Sequence, residues 1–404
     1  VKMGSLASSF IFAIPALPNK GDQMWFFTDE ERELKEVCHS FAQNELAPSA
    51  AEHDENESFN LDAFKKMGEL GLLGITADPE YGGSGLGACA STIVMEEFGA
   101  ACASSTLSYL AHTILTVNNI NNNASPEQKE RFLPKLISGE WIGCMGMSEP
   151  EHGSDALGIE TKAVKQGDYY LINGTKMWIT NAEYSDIAYI YARTGEKKKD
   201  ISTFIVEKGC EGFSTAGPIH KLGMRASPTG ELIFDNAKIP VSNIVGNPGD
   251  STYHMLKNLE MERITISGIS LGIANACVDQ SLRYANERKQ FGRPIGDFQM
   301  IQRMIAEMVT ERDMMKHFLY SVTKEYDQGK KGPTVAAEIK LALPKMATKI
   351  ALDTIQLMGG YGYSREFPAE RYLRDSKLNE IGAGTNEIMV LIIAKNMLKK
   401  YQNQ

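Results

Sequence analysis

Tyr169-Tyr-Leu-Ile-Asn-Gly-Thr-Lys-Met-Trp-Ile-Thr-Asn181 is where the chain changes character. Tyr169–Ile172 is a short β-rich run, Asn173-Gly174 is a turn dipeptide, and Lys176–Asn181 reads as strand, with Trp178 and Thr180 on one face. Similar runs follow at Ile187–Ala192, Thr203–Val206 and Leu232–Phe234, with another turn dipeptide at Lys208-Gly209. Short strands with no long helix between them predict an antiparallel sandwich or barrel over residues 141–247.

On both sides of that stretch the periodicity is helical. Thr28 followed by Glu31 is a capping-box signal that opens a helix toward Ala47-Pro48, with Leu34, Val37, Cys38 and Phe41 on one face. Leu61 to Leu70 reads as a second helix ended by Gly71, and Ser125-Pro126-Glu127 opens another. From Tyr253 to Leu398 long helices return. Met300, Met304, Ile305 and Met308 form an apolar stripe read as core packing, and Pro344 is a candidate kink. The predicted chain is α+β and multidomain. It has a tail at 1–24, a helical domain at 25–139, a middle antiparallel β domain at 140–248 and a helical bundle at 249–404.

With 404 residues there is room for about two to four domains. Hydrophobic residues at 43% and charged residues at 23% describe a globular protein that buries its core without disulfides or metals. Lys and Arg total 42 against 51 Asp and Glu, a formal charge of −9. That balance argues against nucleic-acid binding but leaves room for a local basic pocket holding a phosphorylated ligand. The six cysteines are scattered with no CxxC, so they read as buried thiols in a reducing compartment and not as a metal site. No stretch offers the roughly 18 consecutive apolar residues of a membrane span. Residues 1–21 contain no acid and carry an apolar run, Phe10–Leu17; a trimmed organelle-targeting segment and a plain tail both fit.

Four motifs carry candidate chemistry. Met145-Gly-Met-Ser-Glu-Pro-Glu-His-Gly-Ser-Asp155 lies where helical texture gives way to strands, and such a turn presents backbone N–H groups and the Ser148 and Ser154 hydroxyls. Taken alone it is a loop. In Lys176-Met-Trp-Ile-Thr-Asn181 an indole beside a hydroxyl suits a flat heteroaromatic ring, although a half-buried Trp in a β core has the same look. Around Glu287-Arg-Lys-Gln-Phe-Gly292 a helix ends in a basic cluster; Arg288 and Lys289 suit a pyrophosphate and Gln299 a hydrogen bond to it, while a solvated helix end is the alternative. Gln356-Leu-Met-Gly-Gly-Tyr-Gly362 and Ile381-Gly-Ala-Gly-Thr-Asn-Glu387 are glycine-rich breaks between helices that permit close backbone approach, and Thr385 is placed to cap the following helix.

The order of MSEPEHGSD, KMWITN, LGMRAS, ERKQFG, QLMGGYG and GTNEI resembles that of the acyl-CoA dehydrogenase family of flavoproteins, over about Thr28 to Leu398. The resemblance implies a tightly held FAD, an α-helical N-terminal domain, a middle β domain, a C-terminal four-helix bundle and a homotetramer arranged as a dimer of dimers. It implies that Met145, Met147, Ser148 and Ser154 belong to the flavin loop, and that Trp178, Ile179 and Thr180 lie against the ring. Arg288, Phe291, Gln299, Gln356, Gly359 and Gly360 match segments holding the FAD of a neighbouring subunit, and Thr385 and Glu387 match its adenine-dinucleotide end. Ser154 also matches a residue near the acyl-CoA pantetheine.

The reaction implied is α,β-dehydrogenation of an acyl-CoA: a carboxylate takes the pro-R α-proton while the β-hydrogen leaves as hydride to the flavin. Electrons then pass to an electron-transfer flavoprotein. A backbone N–H and a ribityl hydroxyl polarise the thioester carbonyl. Most members place the base immediately before the Gly-Thr of the last motif, where this chain has Ala383. Alanine cannot take a proton. The substitute is Glu262 in Leu259-Glu-Met-Glu-Arg-Ile264, which without that context would read as a surface helix carboxylate. Glu260 is turned about 200° from it along a helix, so it cannot share that face. A helix Glu paired with loss of the turn Glu resembles the isovaleryl-CoA dehydrogenase subgroup; long-chain members share the relocation.

In that subgroup Tyr253, Glu260, Arg263, Gly382, Ala383 and Gly384 fall on the substrate side. Gly382 replaces a bulky aromatic and leaves room for a branch at Cβ, or is needed for its backbone torsion. The expected activity is conversion of isovaleryl-CoA to 3-methylcrotonyl-CoA in leucine catabolism, in a mitochondrial matrix or a bacterial cytoplasm. The alternatives are a medium- or long-chain acyl-CoA dehydrogenase, an acyl-CoA oxidase, which would usually be a longer protein, and a silent flavin-binding assembly protein. Met389, Val390, Lys395 and Tyr361 depart from the family pattern beside the flavin segments.

Overall fold

The computed structural model describes residues 27–330 and 332–402, so the reading of residues 1–24 as a tail lies outside the described residues. Seven helices come first: α1 Asp29–Phe41, α2 Ala50–Asn56, α3 Leu61–Glu69, α4 Ala88–Ala101, α5 Ala103–His112, α6 Asn118–Asn123 and α7 Pro126–Ile137. Thr28 caps α1 as its sequence predicts: its side chain accepts from Glu31 N at 3.2 Å and its own N–H donates to Glu31 Oε2 at 2.8 Å. Ser125 and Gln128 form the same reciprocal cap on α7. Leu70 caps α3, with Gly71 left-handed just after it. The α1 stripe is narrower than expected. Cys38 and Phe41 are buried, but Val37 is 48% exposed, because a step of one residue turns it about 100° from Cys38.

The strands follow: β1 Gly143–Gly146, β2 Lys162–Gln166, β3 Tyr169–Thr180, β4 Ile187–Arg193, β5 Ile201–Glu207, β6 Phe213–Ala216, β7 Thr229–Pro240 and β8 Ile244–Val245. They form one sheet in the order β6-β7-β3-β2-β4-β5-β8, antiparallel except where β1 and the tip of β2 run parallel to β4. Asn173-Gly174 is not a turn. The strand β3 passes straight through it, and the register slips on the partner instead, where Ile172 pairs with Ala237 and Gly174 with Phe234. The glycine is needed for close approach: a Cβ on Gly174 would lie 2.5 Å from Thr161 Oγ1. Alternate residues of β4 serve two cores. Ala188, Ile190 and Ala192 pack with Ile172, Phe204 and Leu232 inside the sheet, while Ile187, Tyr189 and Tyr191 face Phe132 and Leu136 of α7.

The C-terminal helices are α8 Ser251–Glu287, α9 Gln299–Asp327, α10 Pro333–Met358, α11 Gly360–Tyr363, α12 Ala369–Leu378 and α13 Asn386–Gln402, with a small hairpin of β9 Lys289–Gln290 and β10 Arg293–Pro294 before α9. The long helices α8, α9, α10 and α13 make the bundle. The helix α4 packs so closely on α8 that a Cβ on Gly272 would sit 2.3 Å from Glu96 O, and residues of both helical regions share one core. Of the methionine stripe on α9, Met308 is buried, Met304 and Ile305 are half-buried, and Met300 is 82% exposed, while Ile301 beside it packs against the cluster of Ile295, Leu357 and Met358. Pro344 is buried inside an α10 that continues past it. The six thiols are free, five buried and Cys210 half-buried. No helix among the described residues is long and apolar enough to cross a membrane.

Candidate active site

Glu262 is not a surface carboxylate. It is buried on α8, 6% exposed, and its Oε2 has no hydrogen-bond partner among the described residues. Burial pushes the carboxyl up to about 7, against the pull of Arg263 and Lys340 in the opposite direction. A buried carboxyl that ionises near neutrality and has a free oxygen is equipped to take a proton. Glu260 is half-buried and rotated away, as the helix period requires. It shares a face of α8 with Tyr253 and Arg263, and with Leu256, a residue the sequence reading passed over although its three-residue spacing from Tyr253 marks the same stripe. Tyr253 is 70% exposed and Leu256 51%, so this face offers a flat apolar strip beside the charged pair.

The turn Ile381–Thr385 between α12 and α13 is pinned next to the base. Arg263 Nε donates to Ala383 O at 3.3 Å, and Lys340 Nζ donates to Gly384 O at 2.9 Å. The turn that lacks a carboxylate therefore meets α8 at Arg263, the residue after Glu262. Ala383 holds the left-handed conformation at φ 55, while Gly382 does not. A Cβ on Gly382 would meet Leu378 O at 3.6 Å, ordinary contact, so backbone torsion is not what calls for glycine there. Thr385 caps α13 as expected, its Oγ1 accepting from Ile388 N at 3.3 Å, and Glu387 is exposed in the first turn.

The first two motifs are joined by one ion pair. Lys176 Nζ donates to Glu149 Oε1 at 2.7 Å and to Met147 O at 3.2 Å, and Glu149 also accepts from Glu160 N and Thr161 N at 2.6 and 3.0 Å. Met177 N donates to Ser148 O at 2.9 Å. The loop Met145–Asp155 is thus laced to β3 along Lys176-Met177, leaving Met145, Met147 and Ser148 half-buried and Ser154 exposed. The next residue, Trp178, sits at φ 65 in a bulge between Lys176 and Ile179 and is 56% exposed. It is not a β-core tryptophan. Ile179 points into the sheet core, and Thr180 is half-buried beyond it.

Family models for acyl-CoA dehydrogenases match in chain order: the N-terminal domain over residues 28–140, the middle domain over 144–237 and the C-terminal domain over 252–398. The chain belongs to the acyl-CoA dehydrogenase family. It is an oxidoreductase of that family by its named relatives. It is 44% identical over 378 residues to the mitochondrial isovaleryl-CoA dehydrogenase of Arabidopsis thaliana, covering 93% of this chain and 92% of that one. It is 38% identical over 374 residues to the short-chain specific acyl-CoA dehydrogenase of Clostridium acetobutylicum, covering 92% and 99%. Among solved structures it matches the FAD complex of PigA with a TM-score of 0.89 at 28% identity, over 92% of this chain and 98% of that one.

The acyl-CoA dehydrogenase chain carries a groove of about 490 Å³, lined by Tyr284, Arg288, Gln290, Gly359, Gly360 and Tyr361 among others, and by none of the residues around Glu262. The Arg288 guanidinium lies 5.5 Å from the Tyr361 ring centre, so this departure from the family pattern braces the arginine. Gln299 and Gln356 are exposed near its rim, and Phe291, at φ 52 in the β9–β10 turn, is 93% exposed. Met389, another departure, is fully buried under the Ile381–Thr385 turn, where its Cε would lie 2.8 Å from a Cβ on Gly384.

A flavin dinucleotide suits this donor set. The exposed Trp178 indole offers a ring face, and Cβ atoms added at Gly359 and Gly360 would meet nothing within 4 Å, a cradle open to a ligand. Besides Leu256, Lys340 and the Lys176–Glu149 pair escaped the sequence reading as candidates. Lys340 is a cation among the apolar positions Ala336, Ala337, Leu343 and Ala347 of α10, a break in the helical pattern that was its signal. The Lys176–Glu149 pair lay inside two quoted motifs, but nothing local links residues 27 positions apart.

Proposed function

We propose that this acyl-CoA dehydrogenase converts isovaleryl-CoA to 3-methylcrotonyl-CoA, as in leucine breakdown, with Glu262 as the base. The observation that carries the reading is the buried Glu262 carboxylate, its Oε2 without a hydrogen-bond partner among the described residues, near the Ala383 turn that Arg263 holds. Glu262 takes the α-proton of the thioester, and burial makes its basicity match neutral pH. The Tyr253, Leu256, Glu260 and Arg263 face orients the CoA portion, with Ser154 at its pantetheine. The space at Gly382 supports a substrate branched at Cβ. FAD, held by Met145–Ser154, Trp178, Ile179 and Thr180 on one chain and by Arg288, Phe291, Gln299, Gln356, Gly359, Gly360, Thr385 and Glu387 of a neighbour, supplies the two-electron acceptor for the β-hydrogen.

That arrangement calls for at least a dimer, the family resemblance extends it to a homotetramer, and the exposed Phe291, Met300 and Tyr363 support burial between chains. The electron acceptor is an electron-transfer flavoprotein. A mitochondrial matrix location goes with the plant relative's printed name, and a bacterial cytoplasm with the clostridial one. The clostridial relative also favours a second reading, a short straight-chain substrate. Anaerobic titration of the holoenzyme with isovaleryl-, butyryl- and palmitoyl-CoA, followed by flavin absorbance, decides between them. Faster bleaching by butyryl- or palmitoyl-CoA than by isovaleryl-CoA would replace the branched-chain reading.

A further inference from the structure

Lys340 is fully buried, and among the described buried residues of α10 it is the one charged side chain. Nothing in its own helix neutralises it. Its Nζ reaches across to Gly384 O at 2.9 Å, one residue from the carbonyl that Arg263 holds, so two cations grip adjacent peptide groups of the same turn. The charged groups that face Lys340 are Glu262 and Arg263 from α8, Glu380 from the segment after α12, and Glu387 from α13. Those that face Glu262 are Arg263 on its own helix and Lys340 on α10, with the neutral phenol of Tyr191 on β4 close by. A buried ammonium costs free energy unless it is used, and an apolar residue at this helix position would pack as its neighbours do.

We propose that Lys340 is a positioning residue for proton abstraction: its buried ammonium holds the Gly384 carbonyl and so fixes the turn beside the base. The same cation is one of the two charges that draw Glu262 toward its ionised form. This rests on the reading of Glu262 as base. The two cations near Glu262 divide their work. Arg263 lies on the face of α8 with Tyr253 and Glu260, whereas Lys340 is on α10 and fully buried. Burial pulls Lys340 itself down to about 8, so its charge is intact at neutral pH and is lost above that.

The test is the pH profile of kcat/KM for the holoenzyme and for K340M and K340Q. Gln offers a donor to the Gly384 carbonyl without the charge, so it separates the tether from the electrostatics, and it also serves if K340M does not accumulate as folded protein. Both variants are expected to move the acidic limb upward by about one pH unit, which is about a tenfold loss at pH 6.5. In K340Q the loss closes above about pH 9, where Glu262 is ionised in every form, whereas in K340M the part that comes from KM persists. K340M alone is expected to raise KM as well. A second readout needs no turnover: the pH above which the stability deficit of each protein against its Glu262→Gln counterpart stops growing moves up with the limb. A deficit equal at all pH values, or a limb that stays in place in K340Q, overturns the inference while leaving the base in place. Full turnover in Glu262→Gln instead overturns the reading of the base.

Discussion

Lys176 Nζ lies 2.7 Å from Glu149 Oε1, and both side chains are buried. Burial pushes the lysine down to about 8 with only partial relief from Glu149, so it remains a cation at neutral pH. For Glu149 burial opposes ionisation, but Lys176 and the N–H of Glu160 outweigh it and hold the carboxyl below its ordinary range. The pair is charged, dry, and placed between the loop Met145–Asp155 and the strand that presents Trp178. Its weight is in register: it fixes where the loop backbone sits relative to the exposed indole.

Lys176→Met leaves an ionised Glu149 with two backbone donors and no cation. Unfolding by urea is expected to show a loss of roughly 3–5 kcal/mol, with flavin lost on gel filtration. The double change Lys176→Met with Glu149→Gln recovers part of the loss, because no buried charge is stranded. A single variant that unfolds within 1 kcal/mol of wild type, flavin retained, contradicts this account.

Glu262→Gln is expected to lower turnover by roughly 10²–10⁴-fold while the protein folds. In wild type kcat/KM rises through about pH 7 as the carboxyl ionises. Stability moves the other way. The folded pKa of about 7 stands above the ordinary 4.5, so the contribution of the neutral acid is complete below about 4.5 and is lost as pH rises through 7. The span is about 3 kcal/mol as an upper figure. Thermal scans from pH 4.5 to 8.5 should show wild type declining relative to Glu262→Gln, and parallel curves would mean that the carboxyl is not buried in solution.

What sequence could say of this fold follows from the reach of each signal. Thr28, Ser125 and Gly71 act within one turn of chain, and each forms as its pattern implies. Asn173-Gly174 has hairpin chemistry, yet long-range pairing with β7 and the closeness of Thr161 override it. Met300 continues an apolar period that outlasts the surface it packs on. The strands β1 and β6 are four residues each, too short for alternation to register. At the candidate site, the reading of Glu262 in place of a carboxylate at Ala383 came through the family resemblance, since only the family pattern expects an acid at that position; without it Glu262 reads as a surface helix residue. Lys340 was not legible, because its meaning depends on a carbonyl 44 residues away.

Gly382→Tyr tests the space beside the reacting carbons. The backbone there does not need glycine, and a side chain meets only ordinary contact at Leu378 O, so the variant is expected to fold. The ring fills the room for a Cβ branch. The ratio of kcat/KM for isovaleryl-CoA over butyryl-CoA is expected to fall at least about tenfold, the scale of one misplaced methyl group in a pocket. An unchanged ratio places the branch elsewhere.

Trp178→Gly separates the indole's work from its cost. A non-glycine residue at φ 65 carries strain of roughly 1–2 kcal/mol, held here by the bulge between Lys176 and Ile179. Glycine relieves that strain but loses more backbone entropy on folding, about 0.5–1 kcal/mol, and little packing goes with an indole 56% exposed. The apo variant is therefore expected to unfold within about 1 kcal/mol of apo wild type. Its flavin content after purification should drop several-fold, with FAD titration giving a weaker Kd, since the exposed ring face that a flat cofactor would meet is gone. A variant that purifies with full flavin would mean that Trp178 is strained and exposed for some other reason, and a variant that fails to fold would mean that the indole packs in solution.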